Sequence, residues 1–146
     1  MKKILFISTL ALAFLSSCSG EKETQNSETL TTTISENAPE TIAKNVDVAE
    51  FKKLVDGGEG QILDVRTPGE IAEGYIKGAT QIDIFDANFK SKIVELDKEK
   101  PVYVYCKAGG RSSKAMGLMK SIGFKTVYNL NGGIGAWDNA GYEKIK

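Results

Sequence analysis

The pattern of apolar and polar residues changes period repeatedly between about residue 45 and the end of the chain. Four apolar or aromatic residues in a row, at positions 102–105, predict a short strand buried on both faces. The residues that follow have helical spacing, because the apolar positions from Ala115 to Ile122 share one face of a helix over residues 112–122. The same patterns predict strands at residues 61–65, 80–84 and 126–130 and a short helical turn within residues 66–78. They also predict three more helices. One follows Asp47, one carries Phe85, Phe89, Ile93 and Leu96, and one spans residues 132–139.

Strands that alternate with helices in this way indicate a parallel sheet with helices on both faces. The sequence therefore predicts one α/β domain over residues 45–146. In such sheets the reactive site lies at the carboxyl ends of the strands. Cys106 falls there, because it directly follows the strand predicted at residues 102–105 and precedes a loop and a helix N-terminus.

A cysteine in this position becomes a strong nucleophile only if its thiolate is stabilised, since a free thiol has a pKa of about 8.5. The backbone N–H groups of the loop, the positive end of the following helix, and the cations Lys107 and Arg111 all favour the thiolate. Gly109 and Gly110 allow the positive φ that a loop of converging N–H groups requires. The chain contains no histidine, so a Cys–His pair is excluded and the loop is the visible means of activation.

Three segments together resemble the rhodanese (sulfurtransferase) superfamily. Residues 106–111 read Cys-Lys-Ala-Gly-Gly-Arg, residues 64–79 contain Asp-x-Arg-x-x-x-Glu followed by Gly-Tyr-Ile-Lys-Gly-Ala, and residues 132–137 read Gly-Gly-Ile-Gly-Ala-Trp. The resemblance covers residues 45–146 and implies the rhodanese-like three-layer fold, with a mainly parallel sheet of about five strands and helices on both faces. Tyr75 stands where the family usually has histidine, and we expect that position to be structural.

The resemblance implies a sulfurtransferase of the thiosulfate sulfurtransferase type, in which the catalytic Cys106 carries a persulfide. Asp64, Arg66 and Glu70 are expected to form a structural ion-pair network that supports the loop. We expect a small sulfur-donor anion such as thiosulfate, an acceptor that is cyanide or a thiol, no cofactor and no metal ion. The expected substrate-binding loop consists of Lys107, Ala108, Gly109, Gly110, Arg111 and Ser112.

Two other functions remain open at this level. A persulfide carrier or a partner-docking module without independent turnover would also keep the cysteine loop. A Cys-loop phosphatase or arsenate reductase is less favoured, because those relatives carry a loop of seven residues, and residues 106–111 make a loop of six.

The first 44 residues have a different character. Residues 1–17 have the form of a signal peptide, with Lys2 and Lys3 before an apolar run too short to span a bilayer. Leu15-Ser16-Ser17-Cys18 resembles the lipobox of bacterial lipoproteins, which implies lipidation of Cys18; the alternative is an ordinary secretory signal with an incidental cysteine. Residues 18–44 are polar and without period, and we interpret them as the lipidated cysteine and a flexible tether. We therefore expect a protein of the bacterial cell envelope, lipid-anchored at Cys18, with its domain in the periplasm or at the outer surface.

The 19 basic and 19 acidic side chains give a formal net charge of zero. The sequence therefore lacks the excess positive charge that favours binding to nucleic acid. A single compact domain on a tether also needs no partner subunit, so we expect a monomer.

Overall fold

The computed structural model describes residues 40–146. This part of the chain contains five strands and five helices, and the strands form one all-parallel sheet in the order β1-β5-β4-β2-β3. The elements are β1 (Ile42–Val46), α1 (Val48–Gly57), β2 (Gln61–Asp64), α2 (Pro68–Ile71), β3 (Thr80–Gln81), α3 (Phe89–Ile93), β4 (Val102–Tyr105), α4 (Gly110–Ser121), β5 (Thr126–Leu130) and α5 (Gly133–Asn139). The predicted fold class is confirmed.

The central strand β4 is buried on both faces, as its sequence predicts. Its two valines belong to one apolar cluster, which includes Ile93 of α3 and Met119 of α4. Its two tyrosines belong to the opposite cluster, which includes Phe51 of α1 and Trp137 of α5. Because side chains alternate along a strand, these two clusters lie on opposite faces of the sheet and each face is covered by helices.

Helix α1 begins where the sequence predicts and ends at a glycine. The Asp47 side chain caps the helix by accepting a hydrogen bond from the N–H of Glu50 at 2.8 Å. At the other end Gly58 adopts the left-handed conformation, with φ of 69°, and ends the helix.

Strand β1 was not predicted and begins within the segment interpreted as tether. It pairs along its length with β5, from Ile42 opposite Thr126 to Val46 opposite Leu130. Only Val46 of its five residues is buried, so the strand lacks the alternation that marks a strand in sequence. The backbone of β5, which lies between β1 and β4, supplies its hydrogen bonds, and local composition does not encode that pairing. The signal peptide, Cys18 and most of the tether lie outside the described residues.

The prediction for residues 80–96 was wrong in detail. Strand β3 ends at Gln81, and α3 begins at Phe89 and ends at Ile93. Two aspartates in between bind nearby backbone: Asp83 accepts from the N–H of Phe85 at 2.9 Å and Asp86 from the N–H of Asn88 at 2.7 Å. Such turns compete with both strand and helix, so Phe85 lies in a loop and is 71% exposed.

None of the helices in residues 40–146 is long and apolar enough to cross a membrane.

The buried hydroxyl of Tyr105 should contribute to stability through one hydrogen bond. It accepts from the backbone N–H of Ile76 at 3.1 Å, in the segment that follows α2. Changing Tyr105 to Phe leaves that N–H buried without its partner, so we expect a loss of about 1–3 kcal/mol in the free energy of unfolding, measured by urea titration. Tyr128→Phe is the matched control, because this tyrosine is half-buried with its ring packed on Tyr103. Equal losses in the two variants would contradict a specific role for the Tyr105 hydroxyl.

Candidate active site

Cys106 lies where β4 ends, at the carboxyl edge of the sheet. Its side chain is 1% exposed. The next three residues form a short loop, and α4 then begins at Gly110. A thiol is thereby held below a loop whose backbone turns into a helix N-terminus, as the sequence predicts.

Hydrogen-bond donors surround the sulfur atom. The N–H of Gly109 donates to Cys106 Sγ at 3.1 Å, and the Ser112 hydroxyl lies 3.3 Å from the same atom. The Ser112 hydroxyl also lies 3.0 Å from the carbonyl oxygen of Gly109. The hydroxyl has one proton, so it donates either to the sulfur or to the carbonyl oxygen. A negatively charged sulfur is the stronger hydrogen-bond acceptor of the two.

These donors decide the pKa of Cys106. Burial raises the pKa of the thiol, but the Ser112 hydroxyl and the backbone N–H groups of Ser112, Ala108 and Gly109 outweigh burial, so the pKa lies below its ordinary value. The N-terminus of α4 acts in the same direction. The arrangement therefore favours a thiolate, which is the nucleophilic form of cysteine.

Of the two loop glycines, only Gly109 uses the freedom that the sequence suggested for both. Its φ is +96°, which turns its N–H toward the sulfur. A Cβ there would also lie 3.2 Å from the backbone nitrogen of Gly132 and 3.3 Å from the carbonyl oxygen of Leu130. Gly110 takes no positive φ and is the first residue of α4, so the expectation for Gly110 was wrong.

Helix α5 supports the loop from behind. The N–H of Ile134 donates to the carbonyl oxygen of Cys106 at 2.8 Å, and the N–H of Gly135 donates to that of Lys107 at 3.1 Å. A Cβ on Gly133 would lie 2.4 Å from the Cys106 carbonyl oxygen, so only glycine permits this approach. Sequence reasoning used the Gly-Gly pair only as part of a resemblance and missed this role. The signal that could have revealed it is the pair of glycines at the start of the helix predicted over residues 132–139.

A buried asparagine also reaches the loop. Asn129 of β5 is 3% exposed. Its Nδ2 donates to Asn45 Oδ1 of β1 at 2.8 Å and lies 3.4 Å from the Gly109 carbonyl oxygen. It joins the edge strand to the loop, and an amide between Tyr128 and Leu130 in a predicted strand was the sequence signal for it.

The three charged residues expected in one network divide between two ion pairs. Asp64 pairs with Arg66 in the interior, with 2.7 Å between Asp64 Oδ2 and an Arg66 terminal nitrogen. Arg66 Nε also donates to Asp64 at 3.0 Å, and the two terminal nitrogens donate to the carbonyl oxygens of Glu70 at 3.0 Å and Gly74 at 2.8 Å. Arg66 thereby fixes the segment around α2 beside the site.

The carboxylate of Glu70 pairs instead with Arg111. The two side chains form a two-point contact, with nitrogen–oxygen distances of 2.7 and 2.6 Å. This contact, with further hydrogen bonds from Thr67, lowers the pKa of Glu70 to about 2. The pKa of Arg111 is raised, chiefly by Glu70 and further by the negative charge of Cys106. Glu70 therefore already balances the charge of Arg111, one of the two cations expected to favour the thiolate.

The remaining loop residues, Lys107 and Ala108, are exposed at the mouth of the site. Tyr75 contributes backbone, because its N–H and carbonyl exchange hydrogen bonds with Ile145, both at 2.9 Å.

Comparison with known proteins agrees with this geometry. The Rhodanese-like domain family matches residues 47–140. A sulfurtransferase of Allochromatium vinosum is 36% identical over 90 residues, which cover 62% of this chain and 82% of that protein. The thiosulfate sulfurtransferase GlpE of Pseudoalteromonas translucida is 29% identical over 103 residues, covering 70% of this chain and 96% of that one.

The family also includes longer proteins with other names. A tRNA uridine(34) hydroxylase of Cytophaga hutchinsonii is 40% identical over 94 residues, covering 62% of this chain but only 30% of the hydroxylase. Among solved structures, a rhodanese-like domain protein from Staphylococcus aureus has a TM-score of 0.60 and 32% identity, and the match covers 70% of this chain and 99% of that one. The chain belongs to the rhodanese-like domain family.

Proposed function

We propose that the protein is a sulfurtransferase that moves sulfane sulfur from a donor such as thiosulfate to cyanide or a thiol, through a persulfide on Cys106. The observation that carries this proposal is the buried sulfur of Cys106, which accepts hydrogen bonds from the loop and from Ser112. A loop whose converging donors stabilise a thiolate is also suited to hold a persulfide, whose terminal sulfur is an anion of the same kind. The sulfurtransferase relatives support the same reaction class.

In the first half-reaction the Cys106 thiolate attacks the outer sulfur of thiosulfate. A bond forms between Sγ and that sulfur, the sulfur–sulfur bond of thiosulfate breaks, and its electron pair leaves with sulfite. In the second half-reaction the acceptor attacks the outer sulfur of the persulfide. The bond between Cys106 Sγ and the outer sulfur breaks, its electron pair returns to Sγ, and the thiolate is restored.

The outer sulfur of the persulfide has free donors nearby. The N–H groups of Gly110 and Arg111 form no hydrogen bond within residues 40–146. Both belong to the first turn of α4, where backbone N–H groups have no partner within the helix. We assign to them the outer sulfur, while Gly109 and Ser112 hold the inner one.

The alternative is a persulfide carrier or partner-docking module, and the hydroxylase relative shows that the domain also occurs within longer proteins of other names. Steady turnover with a small donor and cyanide favours the enzyme. Sulfur delivery to one protein acceptor, without small-molecule turnover, favours the carrier.

Persulfide formation on Cys106 tests the proposal. The chain has two cysteines, so a full-length Cys18→Ser protein keeps only the thiol of Cys106. We expect thiosulfate to add about 32 Da, the mass of one sulfur atom, measured by intact mass spectrometry, with release of sulfite.

The matched control adds Cys106→Ser to the same protein and should gain no mass. If thiosulfate and a polysulfide both leave the mass unchanged while Cys106 still reacts with an alkylating agent, the proposal is wrong. Phosphatase substrates would then be the next assay.

We further propose that the chain is lipid-anchored through Cys18, with the domain in the periplasm or at the outer surface. The support is the sequence of residues 1–18. Expressed in a bacterial host, the wild type should enter the detergent phase of a Triton X-114 extract, and the Cys18→Ser protein should lose the added mass of the lipid. Wild-type protein without lipid mass on Cys18 would contradict the anchor.

A further inference from the structure

A large aromatic side chain stands exposed beside the loop. Phe85 is 71% exposed, and its ring centre lies 5.7 Å from the guanidinium carbon of Arg111. The hydrogen bond from the Phe85 N–H to Asp83 fixes the backbone at this point. One face of the ring therefore has a defined neighbour, while most of the side chain is open to solvent.

Arg111 connects this ring to the reacting sulfur. The same guanidinium binds Glu70, and Arg111 lies two residues after Gly109, whose N–H donates to Cys106 Sγ. Arg111 also belongs to the first turn of the helix that follows the loop. Phe85 thus lies at the mouth of the site, where a group attached to the transferred sulfur would project.

The ion pairs at this mouth are balanced in charge. Glu70 neutralises Arg111. The Asp64–Arg66 pair adds no net charge. These two pairs therefore give a dianion such as thiosulfate little net Coulomb attraction, whereas a donor with an apolar group gains contact with the exposed ring.

We propose that Phe85 is a specificity residue that packs against the organic group of the sulfur donor. On this account, which rests on the proposed sulfur transfer at Cys106, the preferred donors are organic thiosulfonates rather than inorganic thiosulfate. With a thiosulfonate, the thiolate attacks the terminal sulfur and forms the Cys106 persulfide. The bond between that sulfur and the sulfonyl sulfur breaks, and the electron pair leaves with the sulfinate anion, so no external oxidant or reductant is needed.

The test compares two donors in matched variants, with cyanide as the acceptor. We measure kcat/KM for benzenethiosulfonate and for thiosulfate in the wild type, Phe85→Ala and Phe85→Leu. Because the two donors differ in intrinsic reactivity, the readout is the ratio of their kcat/KM values relative to that ratio in the wild type.

Phe85→Ala should lower kcat/KM about tenfold for benzenethiosulfonate and less than about twofold for thiosulfate. Phe85→Leu, which keeps an apolar side chain, should fall between wild type and Phe85→Ala. Ile42→Ala is the control: Ile42 is also an exposed apolar residue, 48% exposed, but it lies at the amino end of β1, away from the carboxyl edge that carries Cys106. It should change neither value.

An unchanged donor ratio in Phe85→Ala, with activity retained for both donors, would overturn the role of Phe85 and leave the proposed function intact. An equal loss for both donors would also overturn it, because that result marks a general disturbance of the loop. A wild-type protein that transfers sulfur from neither donor would overturn the proposed function itself.

Discussion

The hydrogen bonds that converge on Cys106 Sγ determine what this site is able to do. A thiol buried at the end of a central strand is pushed toward its neutral form, because a charge in the interior lacks water. The Gly109 N–H and the Ser112 hydroxyl reverse that effect, and both depend on one loop conformation. A loop only slightly displaced would leave an inert buried cysteine.

Much of the surrounding structure keeps the loop in that conformation. Helix α5 binds two loop carbonyl oxygens from behind, at a distance that Gly133 alone allows. On the open side, the contact between Glu70 and Arg111 ties the first turn of α4 to α2. The loop is therefore held from both sides by groups that do not themselves touch the sulfur, and its N–H groups are oriented before any substrate arrives.

The sequence predicted the parts of this site that depend on local order. The apolar run before Cys106 predicted β4, and the cysteine at its end predicted the position of the nucleophile. The turn from loop to helix followed from Gly109 and from the helical spacing of later residues, although α4 begins earlier than predicted, at Gly110. These features are encoded within a few residues of one another.

The features that sequence reasoning missed depend on distant partners. β1 forms because β5 has an edge to pair with. Glu70 was grouped with Asp64 and Arg66 by proximity in the chain, but its carboxylate meets Arg111, 41 residues away. The approach of Gly133 to Cys106 likewise joins two separate elements. Phe85 was placed on a helix because its spacing fitted, and the local turns at Asp83 and Asp86 overrode that spacing.

The pKa of the Cys106 thiol is the most direct measure of the central claim. It can be obtained in the Cys18→Ser protein from the rate of alkylation by iodoacetamide as a function of pH, with Ser112→Ala as the comparison. The account predicts a pKa below the value of about 8.5 for a free cysteine, and a higher pKa once the Ser112 hydroxyl is removed. A pKa at or above that of a free cysteine would show that burial outweighs the hydrogen bonds and would contradict the account.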